Sequence, residues 1–395
     1  MANESAATPL LTSSAADSYF PYSSGRRDAK WSDFAKEIDA IGENIRQSIG
    51  PADYKQFSKF ALWGRLATAT GYATAWIIPN PISAGLIGLG NYTRWSLIFH
   101  QVSHKAMDRV PGVPERYTSK HFATGRRRYR DWFDWISPTN WAIEHNLLHH
   151  YHLGAEGDPD IVWRNSRFIR ELKAPKVVRY ILALLVACIW KPFYYAPNTL
   201  AEARFHRRLS PTNKITWRLW VPITPEGREL WLKSLLPYGL FKFVFLPALF
   251  FPLGQAAVYA VFINSVLGEL VANVYSFAMI GPNHTGEDIY LFSDSAKSRG
   301  DFYIRQIIGT VNFRRGGDFT DFIYGGMNYQ IEHHLWPEAP LYQCRRVQPR
   351  LKTVCEKYGV PYRQSAMLPR LVKTIRMMAG EGKPLKATVE IDTGA

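Results

Sequence analysis

Cysteine is scarce in this sequence, and its spacing excludes two classes of protein. Three cysteines occur among 395 residues, Cys188, Cys344 and Cys355, and no two of them form a CxxC pair. A domain held by disulfides, or a metal site built from thiolates, needs paired or clustered cysteines. We therefore expect neither in this chain.

Several catalytic motifs are also missing. The sequence has no HExxH motif of the zincin proteases and no ExxH motif of carboxylate-bridged di-iron bundles. It has no P-loop and no glycine-rich dinucleotide fingerprint after a strand-like segment. Any electrons or hydride that the protein uses must therefore come from another molecule.

The N-terminus lacks the pattern of a secretory signal. The first 20 residues, MANESAATPLLTSSAADSYF, contain no basic segment followed by an apolar one. Such a stretch of small and polar residues is typical of a loose terminal tail.

Apolar residues, in contrast, are abundant and concentrated in long runs. Hydrophobic residues make up 47% and aromatic residues 14% of the chain, yet the mean hydropathy is -0.19, so a minority of the chain suits lipid. The net charge is +15, and the basic residues flank the apolar runs. Because no nucleic-acid motif is present, this charge indicates a membrane surface and no nucleic acid partner.

Four of the runs are long enough for a transmembrane helix, which needs roughly 20 residues. They lie near residues 60–79, 82–100, 235–252 and 255–280. Uncharged linkers join the members of each pair, PNP at Pro79–Pro81 and PLGQ at Pro252–Gln255. The sequence therefore predicts an all-α membrane protein with four transmembrane helices in two hairpins and a cytosolic helical cap.

A fifth apolar run, Tyr180–Trp190, is bounded by Arg179 and Lys191 and is short for a crossing. We therefore expect an interfacial helix at 180–196. A crossing there would separate the histidines before it from those after residue 280. The positive-inside rule places the basic regions on either side of it in the cytoplasm. The expected domains are a cytosolic N-terminal tail, a membrane domain and a cytosolic C-terminal tail, at 1–58, 59–360 and 361–395.

Eight of the eleven histidines fall at or beyond the predicted ends of these spans on one face of the membrane. They lie in the segments HQVSH, HNLLHH, GPNHTGED and QIEHH, and they are His100, His104, His145, His149, His150, His284, His333 and His334. The other three, His121, His152 and His206, fall outside the pattern, and a surface or supporting role is the simpler interpretation for each. His152, close to the second segment, stays a possible ligand.

The spacing gives these histidines shared directions. Residues four apart on a helix project from the same side, so His100 with His104, and His145 with His149, can each present two rings to one place. Adjacent histidines diverge by about 100° and suit two different ions. Imidazole binds Fe, Zn, Cu and Ni, and more than four histidines exceed the needs of one tetrahedral zinc. One HxxxH pair can arise by accident, so the specific signal is the joint placement of the clusters.

In order and separation, HQVSH, HNLLHH followed by GAEGDPD, and QIEHHLWP resemble the histidine boxes of integral-membrane fatty acid desaturases, over roughly residues 60–360. The resemblance implies a cytosol-facing non-heme di-iron centre. Such a centre uses O2 and two electrons to remove two hydrogens from the acyl chain of an acyl-lipid or acyl-CoA. Gln330, where many members have histidine, is similar to front-end desaturases and to some bacterial acyl desaturases.

The electron source is also implied by this resemblance. Front-end relatives often carry a fused cytochrome b5 domain with an HPGG motif, which is absent here. An external ferredoxin, or a cytochrome b5 with its reductase, is therefore implied as the electron donor.

The resemblance further implies how the ligands divide between two iron ions. One iron would take His100, His104, His145, His150 and His333, and the other would take His149, His284 and His334. Gln330 would fill or approach a vacant position. Some members have an asparagine one helical turn before the single histidine; this chain has Ile280 there, and Asn283 is the possible substitute.

Carboxylates near the boxes are candidates for orienting the rings, because ligating histidines usually donate their second N–H to such a group. The candidates by proximity in sequence are Glu144, Asp158, Asp160, Glu287 and Glu332. A simple polar turn explains GAEGDPD equally well.

Two other functions fit some of these residues. A hydroxylase or ketolase would use the same metal site, and the motifs do not separate it from a desaturase. A metal transporter would need ligands within the spans, whereas these histidines gather at one end. The expected location is the bacterial inner membrane or the endoplasmic reticulum, with the active site on the cytoplasmic side.

Three further features have two interpretations each. Lys242 and Glu269 lie inside the second hairpin and are costly in lipid, so either they pair or Lys242 reaches the surface. The aromatic stretch Tyr129–Trp141 lines a substrate tunnel or anchors the chain at the interface. The run GRRRYR, Gly125–Arg130, binds a phosphate-bearing headgroup, coenzyme A or an acidic redox partner, or it is a solvated patch that faces lipid.

Overall fold

The computed structural model describes residues 20, 22–24, 29–205 and 216–389. His206 and nearly all of the expected loose tail at residues 1–20 lie outside these residues. The described chain is mostly helical. Its longer helices are α1 (Ala29–Ser48), α2 (Pro51–Ala75), α3 (Pro81–Thr93), α4 (Lys176–Arg204), α5 (Pro225–Leu253), α6 (Gln255–Ile280), α7 (Arg299–Ile308), α8 (Asp318–Tyr324), α9 (Gln330–Leu335), α10 (Leu341–Tyr358) and α11 (Met367–Met378).

Shorter segments extend or connect these helices. A π-helical turn and a last α-helical turn continue α3, at Arg94–Phe99 and His100–Ser103. The other short helical segments are Glu115–Tyr117, Gly125–Arg127, Arg128–Asp131, Pro138–Trp141, Ala142–His149, His150–His152, Val162–Asn165, Arg167–Arg170, Trp217–Trp220, Gly281–His284 and Met327–Tyr329. Strands of two residues pair in parallel, Ser23–Ser24 with Thr388–Val389, Tyr290–Leu291 with Leu385–Lys386, and Asn312–Phe313 with Gln364–Ser365.

Among the described residues, three helices are long and apolar enough to cross a membrane. They are α4, α5 and α6, with α6 extended to His284, and each contains an 18-residue stretch with a mean hydropathy of 1.6. Helices α5 and α6 contain the spans expected at 235–252 and 255–280. The spans expected at 60–79 and 82–100 fall mainly on α2 and α3, which are not among the three.

The prediction for residues 180–196 was wrong about the length of the helix. The helix passes through a π-helical turn at Lys191–Tyr195 and continues to Arg204, and its 29 residues suffice for a crossing. Lys191 seemed to end the apolar run, but it is buried, and its Nζ lies 2.6 Å from Asp134 Oδ2. The helix continues because protein neutralises this charge.

Small residues bring α3 close to its neighbours, α2 and α6. A Cβ added at Gly88 would lie 2.6 Å from Val271 Cγ1, and one at Gly268 would lie 2.6 Å from Ile87 Cγ2. Close packing through small side chains is a main source of helix association in lipid. On α6, Asn264 accepts from Asn80 N at 2.9 Å and donates to two carbonyls of the α2–α3 turn.

The expected pairing of Lys242 with Glu269 is confirmed. Lys242 Nζ lies 3.3 Å from Glu269 Oε1, and Lys242 is only 3% exposed, which rules out snorkelling. Glu269 also accepts from Asn91 at 2.7 Å, Trp135 at 3.0 Å and Tyr238 at 2.5 Å. The charge is therefore satisfied inside the protein, as a buried carboxylate requires.

The segments expected as terminal tails contain helices that pack on the rest of the chain. Helix α1 contacts α7 and α10, and α11 contacts α4 and the turn Gly281–His284. Arg370 on α11 is 1% exposed. The domain division at residues 58 and 360 stays a prediction, although this packing favours one unit.

Candidate metal centre

The structure brings the eight histidines of the boxes together in two groups. Ring nitrogens within each group lie within 4.8 Å of one another. The five-histidine group consists of His100, His104, His145, His150 and His333, and the three-histidine group consists of His149, His284 and His334. Six of the eight rings are buried and two are half-buried.

Irregular helix geometry aims the rings of the second box. Residues Ala142–His149 form a π-helical turn, in which hydrogen bonds join residues five apart, and His150 N–H donates to His145 O. His145 and His150 therefore face one place, with their Nε2 atoms 3.3 Å apart. His145 and His149, which the sequence predicts to face one place, also lie close together. With Asp160 they form a third set of side chains that could hold a metal ion.

The other boxes follow the expected α-helical spacing. His100 and His104 are four apart at the end of the α3 extension, and their ring centroids are 5.0 Å apart. The adjacent histidines His333 and His334 on α9 diverge and enter different groups. The chain leaves the first box through Lys105, whose φ of 63° turns it away from the helix axis.

Several ring nitrogens have no ordinary hydrogen-bond partner among the described residues, which is the main sign that the cluster suits a cation. Within the described part of the chain, Nε2 is buried and has no hydrogen-bond partner in three histidines: His104, His333 and His334. His145 Nε2 lies 3.1 Å from His100 Nε2 and 3.3 Å from His150 Nε2, and its single lone pair cannot accept from both. Because buried polar atoms normally have partners, the residues fit bound metal.

The electrostatics keep most of these rings in the form that binds metal. Burial, together with the neighbouring rings, holds the pKa well below 6.5 in five histidines: His104, His145, His150, His333 and His334. Neutral imidazole has the free lone pair that a metal needs. The cluster is therefore ready to bind metal at neutral pH.

Asp158, in the loop GAEGDPD, holds the ring of His149. Its Oδ1 lies 2.9 Å from His149 Nδ1, and it also accepts from the N–H groups of Gly154 and Asp160, both at 2.8 Å. Burial opposes charge on both partners, but their attraction prevails and raises the pKa of His149 while lowering that of Asp158. Of the carboxylates proposed to orient a ring, Asp158 is the one with this contact.

The other candidate carboxylates have different neighbours. Glu144 is buried and accepts from Tyr195 Oη at 3.2 Å. Glu332 accepts from Tyr362 at 2.6 Å and Asn312 at 2.8 Å, and burial raises its pKa to about 7. Asp160 lies beside His145 and His149 and lines the cavity described below.

The additional candidates from the sequence differ in their positions. Gln330 lies beside the three-histidine group, with its amide nitrogen 3.0 Å from His284 Nε2. The Asn283 amide donates to the carbonyls of Val311 and Met327, and its Oδ1 is buried without a partner. His152 belongs to neither group and lies against Gly157.

Sequence patterns gave no signal for two residues that support the centre. Gln306 on α7 accepts from His334 Nδ1 at 3.0 Å and donates to His150 O at 3.0 Å, so it touches both groups. Arg370 on α11 donates to the carbonyls of Pro282 and Thr285, on either side of His284. A lone glutamine on an amphipathic helix, or an arginine in an expected tail, carries no motif.

An apolar cavity of about 300 Å³ meets the histidines. His100, His145, His149 and His284 form part of its wall. Helices α4 and α6 contribute eight further aromatic and aliphatic side chains to the wall, among them Val186, Ile189, Trp190, Phe193 and Phe277. A narrow apolar space with few polar groups suits a hydrocarbon chain.

The stretch Tyr129–Trp141 contributes to this cavity at one end. Trp141 lines it, whereas Trp132 stacks on Phe99 with ring centroids 3.8 Å apart, and Trp135 donates to Glu269. Tyr129 is exposed. The stretch is therefore partly cavity wall and partly core.

Fold and site together define a helical protein with membrane-length apolar helices and a histidine cluster able to bind metal. The family model described as fatty acid desaturase matches residues 74–366. The chain belongs to the fatty acid desaturase family, which consists of O2-dependent oxidoreductases.

Relatives with known names extend over most of the chain. An NADPH-dependent stearoyl-CoA 9-desaturase of Mycobacterium tuberculosis is 25% identical over 374 residues, covering 91% of this chain and 82% of the relative. A chloroplastic acyl-lipid (7-3)-desaturase of Chlamydomonas reinhardtii is 25% identical over 372 residues, covering 89% and 68%. A Delta(8)-fatty-acid desaturase of Euglena gracilis is 42% identical over 78 residues, covering 20% and 18%.

Proposed function

We propose that this protein is an integral-membrane acyl desaturase. It introduces a cis double bond into the chain of an acyl-lipid or acyl-CoA, with O2 and two electrons, at a centre of two non-heme iron ions. The observation that carries the proposal is the contact between the histidine groups and the apolar cavity. One relative is named as a stearoyl-CoA desaturase and another as an acyl-lipid desaturase. These names support both coenzyme A and a lipid as the carrier of the acyl chain.

The two histidine groups are the ligands of the two ions in this proposal. His100, His104, His145, His150 and His333 hold one iron, and His149, His284 and His334 hold the other. Gln330, and Asp160 on the cavity side, lie next to the group with fewer nitrogens. Iron with O2 supplies the oxidising power for an unactivated C–H bond, which no side-chain acid or base can break.

The protein's own contribution is to bind and align the acyl chain. Each methylene that leaves water for the cavity adds about 0.8 kcal/mol of binding, so a long chain is held without polar anchors. Trp190 and Phe277 pack with ring centroids 6.2 Å apart and narrow the space, which favours an extended chain and excludes water. His100 and His145 lie on one wall, so the carbons that pass them are the ones that react.

The proposed topology keeps two membrane hairpins, α2–α3 and α5–α6, with α4 along the interface. If α4 crossed together with α5 and α6, three crossings would separate His149 from His284. Yet ring nitrogens of these two lie within 4.8 Å of each other. Exposed apolar side chains on α4, such as Leu184 and Phe193, suit an interfacial position.

The electrons come from a separate protein in this proposal, a ferredoxin or a cytochrome b5 with its reductase. The chain has no dinucleotide fingerprint and no HPGG motif. The mycobacterial relative is named as NADPH-dependent, which agrees with a reductase upstream. The centre faces the cytoplasm, in a bacterial inner membrane or the endoplasmic reticulum, because basic loops flank the spans.

Expression in a host that lacks the reaction, followed by location of double bonds in its fatty acids, tests the proposal. We expect a new cis-unsaturated acyl chain, iron near two per chain, and loss of the product in His104→Ala. His121→Ala is the matched control, because His121 lies outside both groups and contacts Glu115 at 3.1 Å. Iron-loaded protein that yields a hydroxylated chain, or no new product in any acyl pool, would contradict desaturation.

A further inference from the structure

A second cavity, about 320 Å³ in volume, lies apart from the histidines. We call it the arginine pocket, because four guanidinium groups line it: Arg65, Arg94, Arg116 and Arg130. They come from α2, from the extension of α3 and from the loops that follow the first histidine box. None of the residues that line this pocket lines the apolar cavity.

The pocket has a large uncompensated positive charge. Its one acidic residue, Asp131, is already paired with Arg127 at 3.0 Å and accepts from Ala123 N at 3.1 Å. Glu115, next to Arg116, contacts His121. Within the described chain, no carboxylate forms an ion pair with any of the four arginines that line the pocket.

Contacts with Tyr117 hold two of the four arginines, Arg65 and Arg116. Arg65 donates to Tyr117 Oη, and the guanidinium of Arg116 lies 4.9 Å from the centre of the Tyr117 ring. Arg94 is half-buried. Tyr117 itself is 4% exposed, so a buried ring provides the contact for both arginines.

The helices set the depth of the pocket. Thr93 packs against Gly64, where an added Cβ would lie 2.5 Å from Thr93 Cγ2, so the next residues, Arg65 and Arg94, lie at the same level of two antiparallel helices. Beside them, Leu62 and Leu66 are 52% and 53% exposed. Arginines flanked by exposed leucines near the cytoplasmic end of a hairpin can reach the level of lipid headgroups.

We propose that the arginine pocket binds a phosphate ester. Four like charges around one cavity repel one another, and an anion with two charges removes that repulsion. The planar guanidinium group binds phosphate oxygens through two parallel hydrogen bonds, which favours phosphate over a simple halide ion. Two sources have this chemistry at this depth, the headgroup of a phospholipid and the phosphates of coenzyme A.

This inference does not depend on the reaction that the histidines carry out. Binding needs neither O2 nor electrons, so it is measured on the resting protein. If no phosphate ester bound in the arginine pocket, the proposed desaturation would be unaffected. If the enzyme were inactive, the pocket would still bind the phosphate ester.

Native mass spectrometry of the full chain in detergent tests the site with four separate ligands. They are short-chain phosphatidylglycerol, diacylglycerol of the same chain length, free coenzyme A and inorganic phosphate. We expect phosphatidylglycerol or coenzyme A to bind at one per chain, and diacylglycerol to bind more weakly than phosphatidylglycerol. The double variant Arg94→Gln/Arg116→Gln should weaken binding of the phosphate ester about 100-fold, about tenfold for each guanidinium.

A second double variant separates a built site from general attraction to positive charge. Arg314→Gln/Arg350→Gln removes two exposed arginines elsewhere and changes the net charge by the same amount. We expect it to bind as the wild type does. Equal weakening in both double variants, or equal binding of diacylglycerol and phosphatidylglycerol, would overturn the proposal.

A conservative variant covers the case in which glutamine disturbs folding. Arg94→Lys/Arg116→Lys keeps the charge but loses the paired hydrogen bonds, so it should bind with intermediate strength. Wild-type affinity in this folded variant would argue against guanidinium recognition. Selective binding of phosphatidylglycerol identifies a lipid site, and selective binding of coenzyme A identifies a site for the acyl carrier; binding of neither ligand refutes the inference.

Discussion

The two histidine groups differ in how their rings are held. In the three-histidine group, each ring contacts an outside side chain: His149 with Asp158, His334 with Gln306 and His284 with Gln330. In the five-histidine group, no side chain from elsewhere in the described residues hydrogen-bonds to a ring, and the rings contact one another. Five ring nitrogens can hold an ion through their number. With three ring nitrogens, binding of the ion depends more on how the surrounding side chains orient each ring.

This difference has a chemical meaning under the proposed function. A metal position with fewer protein ligands keeps sites open for other molecules, which is typical of catalytic positions. The three-histidine group should therefore be more sensitive to changes in its surroundings. The predictions below test this asymmetry.

The largest effect is expected from removing a ligand of the three-histidine group. His334→Ala leaves two nitrogens there, so we expect iron to fall to about one per chain and product to disappear. His104→Ala leaves four nitrogens in its group and should retain more iron. Metal analysis of the purified variants, with lipid analysis of the expressing cells, measures both quantities. Equal iron loss in the two variants would remove the asymmetry.

A smaller effect is expected at Asp158. In Asp158→Asn the ring of His149 keeps a hydrogen-bond acceptor but loses its charged partner. Changes of this kind typically cost 10–100-fold in metal affinity or activity. Competition with a chelator gives the affinity, and Asp108→Asn is the control, because Asp108 is exposed and contacts Ser119. Wild-type iron retention in Asp158→Asn would mean that the ring is held by packing alone.

The smallest effect is expected at Gln306. Gln306→Leu removes two neutral hydrogen bonds, from His334 Nδ1 and to His150 O, and we expect iron binding to weaken by about tenfold. Gln306→Glu restores the acceptor for His334 Nδ1 but not the donor to His150 O, so it should recover part of the loss. Chelator competition is again the measurement, with the exposed Gln364→Leu as the control. A loss in Gln306→Leu larger than that in Asp158→Asn would contradict the proposed order.

The sequence predicted which histidines lie together better than it predicted the residues around them, for a physical reason. Candidate ligands such as His145 and His150 come in short boxes, because nearby residues on a helix share a direction. Gln306 and Arg370 reach the centre by tertiary packing, and no local pattern records that. The π-helical turn at Ala142–His149 was also not predicted, because a π-helix has no sequence pattern as simple as the i, i+4 pattern of an α-helix.

The fold was predictable where apolar runs had clear ends. The hairpins followed from PNP and PLGQ, and helices meet at both places. The length of α4 did not follow, because the partner that makes Lys191 tolerable, Asp134, lies 57 residues away in sequence. Burial of a charged pair depends on contacts between distant parts of the chain, which one window of sequence does not contain.

Arg370 has a consequence for how the enzyme matures. Its buried guanidinium pairs with Asp288 at 2.6 Å and donates to the carbonyls that flank His284, yet it is synthesised after every histidine of the boxes. During synthesis, all eight histidines therefore leave the ribosome before Arg370, which stabilises the turn around His284. We expect the ion at His149, His284 and His334 to be acquired late, so that a chain cut short before residue 370 would carry only half of its metal.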